Sequence, residues 1–531
     1  MADFDLLFRN CTVIDGTNLP AFPADVAVKD GYICAVGPIP PSVSAARTID
    51  ASGKLLIPGI IDSHSHHDAV MFLPSCKFAR ITQGITTEVV GYCGPSLAPY
   101  REDRSDLLQT IFYSLSDTGY TFPWRWNSVK ELFSYMEASG LASNTASFIG
   151  HGTLRTLVMG HENRKATPRE LDIMKGILSD SIDEGALGLA LGLSYVPGAF
   201  CDQEELRALA TVLAKKDAIL AAHRRDEGNT AREAAQEILT ISQETGVKTM
   251  ICHVKATGRK NWGKTAEIIS DIEAVRAKGV DVRFDVYPYP SGCINLHYIF
   301  PSWVQSGSNA DMMARLQDPN IRRRVIEDCY DPEKMARSLY TYATPQNIEI
   351  IACAQEEYRN HTLAEIAEMR SQRPIECAVD LILESGDKVT MVPTMQSPEE
   401  LASVIRHPLS MICSDGFPNI TGIQHPRYIG TFTHVLDHYV KQAGLLSREE
   451  AVRKMTSATA DFFRLKKRGR IREGYHADLV LLDWEALQDN ATTSHPTAGS
   501  DGILATVLNG ELVAENGAAT GACAGKVLRS M

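Results

Sequence analysis

Short apolar runs, each closed by a polar residue, recur along the chain. They are LLIPGIID ending at His64 and His66, ITTEVVGY at Cys93, TASFIG at His151, ALGLALGL near Tyr195, AILAA at His223, VKTMIC at His253, DVRFDV at Tyr287 and LSMIC at Asp415. Apolar runs of this length bounded by turn residues predict buried strands. Most are separated by stretches with apolar residues at helical spacing, such as EELRALATVLAKK at 204–216 and AREAAQEILTISQETG at 231–246. Strand alternating with helix predicts a parallel sheet, and eight such units predict an α/β fold of the closed (β/α)8 TIM-like barrel type.

The flanks follow a different rule. Residues 4–49 and 470–513 alternate apolar and polar positions around Gly-centred turns, the pattern of short antiparallel strands. Both chain ends are therefore expected to build one small β-sandwich domain, from 1–57 together with about 466–531, beside a barrel at 58–465. After the seventh run, residues from about 288 to 345 are too long for a plain loop and predict a helical insertion near the active-site mouth.

In a (β/α)8 barrel the active site collects at the C-terminal ends of the strands. His64, His66, Cys93, His223, His253 and Asp415 all fall at such ends. A polar strand terminus is the ordinary explanation for any one of them, but not for six metal-capable residues together. His64 and His66, one residue apart on an extended segment, point to the same side and can reach one ion. Cys93 can supply a thiolate, a strong zinc ligand, whereas the other cysteines read as buried thiols. His67 points the other way and reads as structural. Asp62 either touches the metal or orients a histidine. His151 either polarises a carbonyl or is a satisfied buried histidine, and both readings stay open.

Charge narrows the partners. The net charge is -12 and no basic stripe appears beyond KKRGR at 466–470, which reads as a solvated turn, so no nucleic-acid partner is expected. The N-terminus is acidic where a signal peptide is basic, and no apolar run approaches the ~18 residues of a membrane span. Twelve cysteines without a CxxC pair suit a reducing compartment. The expectation is a cytoplasmic protein with no membrane partner and an oligomeric state left open.

The segments PGIIDSHSHHD, QGITTEVVGYCG, GLSYVPG, HRRDEG, HVKATGRKNWG, DVYPYPSG, SDGFPNITGIQHPRYIGTF and GYHADLVLLD, taken together and spread end to end, resemble the amidohydrolase superfamily. Within it, the match is to the N-acyl-D-amino-acid deacylase (D-aminoacylase) group. Two departures are visible: Tyr92, where the family often has Asn, and Lys467-Arg468-Gly469, where Asp-Arg-Gly is usual.

The resemblance implies zinc (Zn2+), one ion held firmly by Cys93, His223 and His253 and a second, weaker position at His64, His66 and Asp415. ALGLALGL offers no lysine to bridge two metals, which leaves Cys93 as the bridging candidate. A bound zinc lowers the pKa of water from 15.7 to about 7 and polarises a carbonyl. Asp415 is the expected catalytic acid/base, taking the water's proton and delivering it to the leaving amine. By resemblance Lys255, Tyr287 and Arg427 grip the α-carboxylate of a small N-acyl amino acid, with Tyr289 a rival for Tyr287. A fork, a point charge and a hydroxyl suit that ligand. Hydrolysis of N-acyl-D-amino acids is the expected activity. A cyclic amide, an N-acyl dipeptide or a lactone are alternative substrates, and a non-catalytic scaffold should have lost ligands that are all present here.

Overall fold

The computed structural model describes residues 2–115, 122, 124–335, 338–417 and 424–530. Residues 418–423 of the SDGFPNITGIQHPRYIGTF segment and 336–337 of the expected insertion lie outside the described residues.

The eight apolar runs form eight parallel strands: β1 Ile60–Asp62, β2 Ile85–Val90, β3 Asn144–Ser147 continued by Ile149–Gly150, β4 Gly188–Gly192, β5 Ile219–His223, β6 Lys248–Ile251, β7 Val282–Val286 and β8 Ser410–Ile412. Neighbours pair in parallel from β1 through β8, with one register shift between Ile60 and Ile61 on β1. At Phe148 the third strand changes partner, pairing β2 before that residue and β4 after it. The ring closes between β8 and β1, where Asp415 N donates to His64 O over 2.9 Å and Ser414 N to Asp62 Oδ1 over 2.9 Å. Asp62 also takes a buried ion pair from Arg80. Asp62 Oδ1 accepts from His64 N over 3.2 Å as well, which braces the turn that carries His64 and His66.

The helices follow from local sequence. In Gln203–Lys215, Leu206, Leu209, Ala210 and Leu213 are buried on one face, and the Asp202 side chain caps the N-terminus by accepting from Glu205 N. Helix Pro168–Asp183 starts at a capping box between Thr167 and Glu170.

Both chain ends meet in one nine-stranded sheet ordered Ala518–Ala519, Glu511–Glu515, Ile503–Leu508, Leu479–Leu482, Leu55–Pro58, Phe4–Val13, Phe22–Lys29 and Tyr32–Gly37, with Ala45–Asp50 also on Phe4–Val13. Alternate residues such as Leu6, Phe8, Val26, Val28, Leu479 and Leu481 fill its core. Only Gly59 separates this sheet from β1. A Cβ there would sit 2.2 Å from Thr86 Oγ1, so the handover that places His64 needs glycine.

The insertion differs from the expectation. Helices Asn309–Gln317, Pro319–Tyr330 and Leu339–Ala343 lie in the expected range, but the unit extends past 345 to Pro393 and carries a sheet that runs Ile294–Asn295, Thr390–Pro393, Ile348–Ala352, His361–Thr362. It has its own core, including Leu316, Val325, Ile350, Ile366, Ile382 and Met391. The sequence pattern missed the sheet because Ile348–Ala352 pairs with Thr390–Pro393, a non-local match that no local periodicity reveals.

Candidate metal centre

Four buried donors converge at the C-terminal mouth of the barrel: His64, Cys93, His253 and Asp415 place ligand atoms within 4.8 Å of one another. Cys93 Sγ lies 3.4 Å from His64 Nε2, 3.6 Å from His223 Nδ1 and 3.9 Å from His253 Nε2. His223 Nδ1 and His253 Nε2 are 3.0 Å apart. Asp415 Oδ1 stands 3.4 Å from His64 Nε2 and 3.2 Å from His66 Nε2. The thiol thus sits between a His223/His253 side and a His64/His66/Asp415 side.

The far nitrogen of three imidazoles is held by a partner. His64 Nδ1 meets Asp285 Oδ2 at 3.1 Å, His223 Nε2 meets Ser194 Oγ at 2.7 Å, and His253 Nδ1 meets Glu227 Oε1 at 2.9 Å. Such partners fix ring orientation and tautomer, which turns the remaining nitrogen to the common centre. Sequence reasoning missed Ser194, Glu227 and Asp285. Signals were present for two of them: Asp285 near the C-terminal end of the run DVRFDV, and Glu227 four residues past His223 in HRRDEG.

Backbone geometry adds a second mark. Cys93, His253 and Asp415 have φ values of 58°, 32° and 45°. Non-glycine residues rarely adopt this region, at a cost of roughly 1–3 kcal/mol each, and such strain clusters at functional sites.

These residues fit a zinc centre. Although His66 Nε2 is close to Asp415, it has no hydrogen-bond partner among the described residues, and its ring stacks on Phe417 with centroids 3.9 Å apart. Nitrogens, sulfur and carboxylate oxygen converge on a shared point instead of pairing off, and an N/S/O set of this kind suits zinc. Burial pushes the His66 imidazole down to about 4 and His223 well below its usual value, so both rings keep a free lone pair. Burial lifts the Cys93 thiol, reinforced by Asp415 and Asp285, and a cation would be needed to hold it as thiolate. Burial also opposes the charge on Asp415, but Arg427 and His64 outweigh it and hold the carboxyl well below the ordinary range.

Beside the cluster lies a cavity of about 130 Å³, lined among others by His223, His253, Lys255, Tyr287, Asp415 and Arg427. Arg427 and Lys255 flank the Tyr287 ring, 4.7 and 5.4 Å from its centroid. The Tyr287 hydroxyl has no hydrogen-bond partner among the described residues. Burial works against the Lys255 ammonium, but Glu227, 2.7 Å away, more than offsets it and raises its pKa. Tyr289 does not line this cavity; its ring stacks on His434 at 4.6 Å.

His151 departs from the substrate-contact expectation. It opens helix His151–Met159, is fully buried, and its Nε2 lies 2.7 Å from Glu205, which also pairs with Arg155. It does not line the cavity, because β3 ends in a helix start that carries the ring outward into this ion network. His67 is likewise engaged elsewhere, with Nδ1 3.0 Å from Glu88.

Buried imidazole, thiol and carboxylate donors gathered at the mouth of a parallel α/β barrel define a metal-dependent enzyme. The chain belongs to the amidohydrolase family, whose profile matches residues 47–514. It is 33% identical over 526 residues to D-aminoacylase from Alcaligenes xylosoxydans xylosoxydans, covering 99% of this chain and 97% of that one. Its structure resembles N-acyl-D-glutamate deacylase from Bordetella bronchiseptica, solved with zinc and a phosphonate mimic of the tetrahedral intermediate, with a TM-score of 0.83 and 31% identity over 99% of this chain and 100% of that one. A D-aminoacylase structure described for its binuclear metal centre aligns with a TM-score of 0.83 and 32% identity, again over 99% and 100% of the two chains.

Proposed function

We propose that this protein hydrolyses the amide bond of N-acyl-D-amino acids to a carboxylate and a free D-amino acid. The observation that carries the reading is the convergence of His64, Cys93, His253 and Asp415 within 4.8 Å beside a cavity bearing Lys255 and Arg427. Relatives of this chain are a D-aminoacylase, an N-acyl-D-glutamate deacylase and an N-acyl-D-aspartate deacylase.

In this reading Cys93, His223 and His253 would hold the firmer zinc, and His64, His66 and Asp415 would offer a second, weaker position, with Cys93 the candidate for both. When bound, zinc supplies Lewis acidity and a water activated at neutral pH. Asp415, held ionised by Arg427, accepts the water's proton and returns it to the leaving nitrogen, without which an amide does not break. Lys255, Tyr287 and Arg427 bind the α-carboxylate. Asp285, Ser194 and Glu227 keep the three imidazoles turned inward.

The same reading treats the terminal sheet as a separate β-sandwich unit, 1–57 with about 466–531, beside the barrel. Twelve cysteines, all free thiols, suit a cytoplasmic location. The substrate is a small carboxylate-bearing molecule, with neither nucleic acid nor membrane as partner.

The decisive measurement is kcat/KM for matched D and L N-acetyl amino acids on zinc-loaded protein. With the carbonyl at the metal and the carboxylate at the clamp, two substituents of the stereocentre are fixed, and a misplacement of about 1 Å costs ~10²-fold. Strong preference for the D form is expected; equal rates for both hands would sink the assignment.

A further inference from the structure

The insertion reaches back to the catalytic cavity through Tyr342. This residue belongs to helix Leu339–Ala343, is buried, and lines the cavity. It lies against two loops of the barrel, HRRDEG after β5 and HVKATG after β6. Each loop places a glycine at the contact. A Cβ on Gly228 would sit 2.3 Å from Tyr342 Cζ, and a Cβ on Gly258 would sit 2.6 Å from Tyr342 O. Both approaches are closer than a side chain allows, so each loop does without one where Tyr342 enters.

The same two loops carry polar groups of the site, and Glu227 joins them. Its Oε1 lies 2.9 Å from His253 Nδ1, its Oε2 pairs with Lys255 Nζ at 2.7 Å, and its main-chain oxygen accepts from Thr257 N over 2.5 Å. The carboxylate that turns the His253 ring is therefore also the one that holds the Lys255 ammonium. Arg224 supports it from within the barrel, with Nη2 donating to Glu227 Oε1 over 3.2 Å and to Lys255 O over 3.0 Å.

From the side of the insertion the support comes through Asp226, which accepts a hydrogen bond from the Tyr342 hydroxyl. Asp226 in turn fixes the backbone on the far side of Glu227. Its Oδ1 accepts from Gly228 N over 3.2 Å, and its Oδ2 from Thr230 N over 2.6 Å and from Thr230 Oγ1 over 2.8 Å. A further bond from the insertion, Gly258 N to Met395 O over 2.7 Å, pins the second loop.

We propose that Tyr342 is a positioning residue: by holding Asp226 and filling the space between Gly228 and Gly258, it sets Glu227, and through Glu227 both the His253 ring and the Lys255 ammonium. The insertion is then part of the catalytic apparatus. The effect on His253 needs only a bound zinc. The effect on Lys255 rests on the deacylase reading, in which that ammonium meets the α-carboxylate.

Tyr342→Phe removes the hydroxyl and keeps the ring. At saturating zinc it should raise KM for N-acetyl-D-leucine about 10-fold, the low end of what a hydrogen bond to a charged group contributes. Zinc affinity, read by chelator competition, should fall about 10-fold, the low end for the outer partners of ligating histidines. In an Asp226→Ala background the same change should add little, because its partner is gone. Urea midpoints separate positioning from a purely structural role. A parental KM or a parental zinc affinity in Y342F overturns the positioning role, whether or not the midpoint falls, and so do full, additive losses in the D226A background. If the parent hydrolyses neither hand of N-acetyl-leucine, the deacylase reading fails, and the zinc affinity of Y342F still tests the role of Tyr342.

Discussion

Arg427 Nη1 donates to Asp415 Oδ2 over 2.9 Å, with both side chains buried. The cation assigned to the substrate carboxylate is thus the same group that holds the proton carrier ionised, so binding and proton transfer share a residue. Truncating one partner of a buried charge pair costs about 2–5 kcal/mol. Arg427→Ala is therefore expected to lower kcat/KM by roughly 30-fold or more, raise KM sharply and weaken discrimination between D and L substrates. If KM alone changes and kcat is untouched, the coupling to Asp415 is absent.

Asp415→Asn keeps the shape of the side chain and removes its basicity. Turnover should fall by roughly 10²–10⁴-fold, the usual contribution of a positioned acid/base. Zinc at the position assigned to Cys93, His223 and His253 should remain. Elemental analysis of the purified variant reads the metal, and a near-normal kcat would take Asp415 out of the mechanism.

Metal content tests the inner and outer residues separately. Cys93→Ala should lose much of the bound zinc, since Sγ faces three imidazole nitrogens within 3.9 Å. Asp285→Asn leaves the ligands in place but alters the bond that orients His64, at 3.1 Å, and substitutions of this kind typically cost 10–100-fold in metal affinity. A chelator competition titration distinguishes the two. Unchanged zinc content in C93A would remove the shared-ligand role.

Stability in acid should track Glu88, which lies within the barrel. Burial opposes its charge, but His67 and Arg80 outweigh burial and bring its pKa down from 4.5 to about 2. Because the folded-state value is depressed, the stabilisation is fully present above about 4.5 and is lost as pH falls from there through about 2. Urea midpoints should fall across that window in the parent. Glu88→Gln should start lower at neutral pH and show a flatter dependence; identical slopes would clear Glu88 of the effect.

The sequence by itself determined the barrel and most of the side chains that meet at its mouth. Strand ends are local events: an apolar run stops where the chain leaves the core, so His64, Cys93, His223, His253 and Asp415 announce their level in the barrel without any fold being known. Spacing could also say that His64 and His66 share a side, because side chains on an extended segment alternate. Only the tertiary structure decided which polar groups meet. Asp285 orients His64, which lies 221 residues away in the chain, and Tyr287 faces the cavity while Tyr289, two residues on, packs against His434. His151 has the same strand-end signature as the others, yet Glu205 takes it into a buried ion network. The sheet that extends the helical insertion past 345 escaped for the same reason: the partner of Ile348–Ala352 lies beyond residue 389. Periodicity reports how each residue stands to solvent and core, whereas hydrogen bonds and ion pairs depend on which distant segments the closed ring brings side by side.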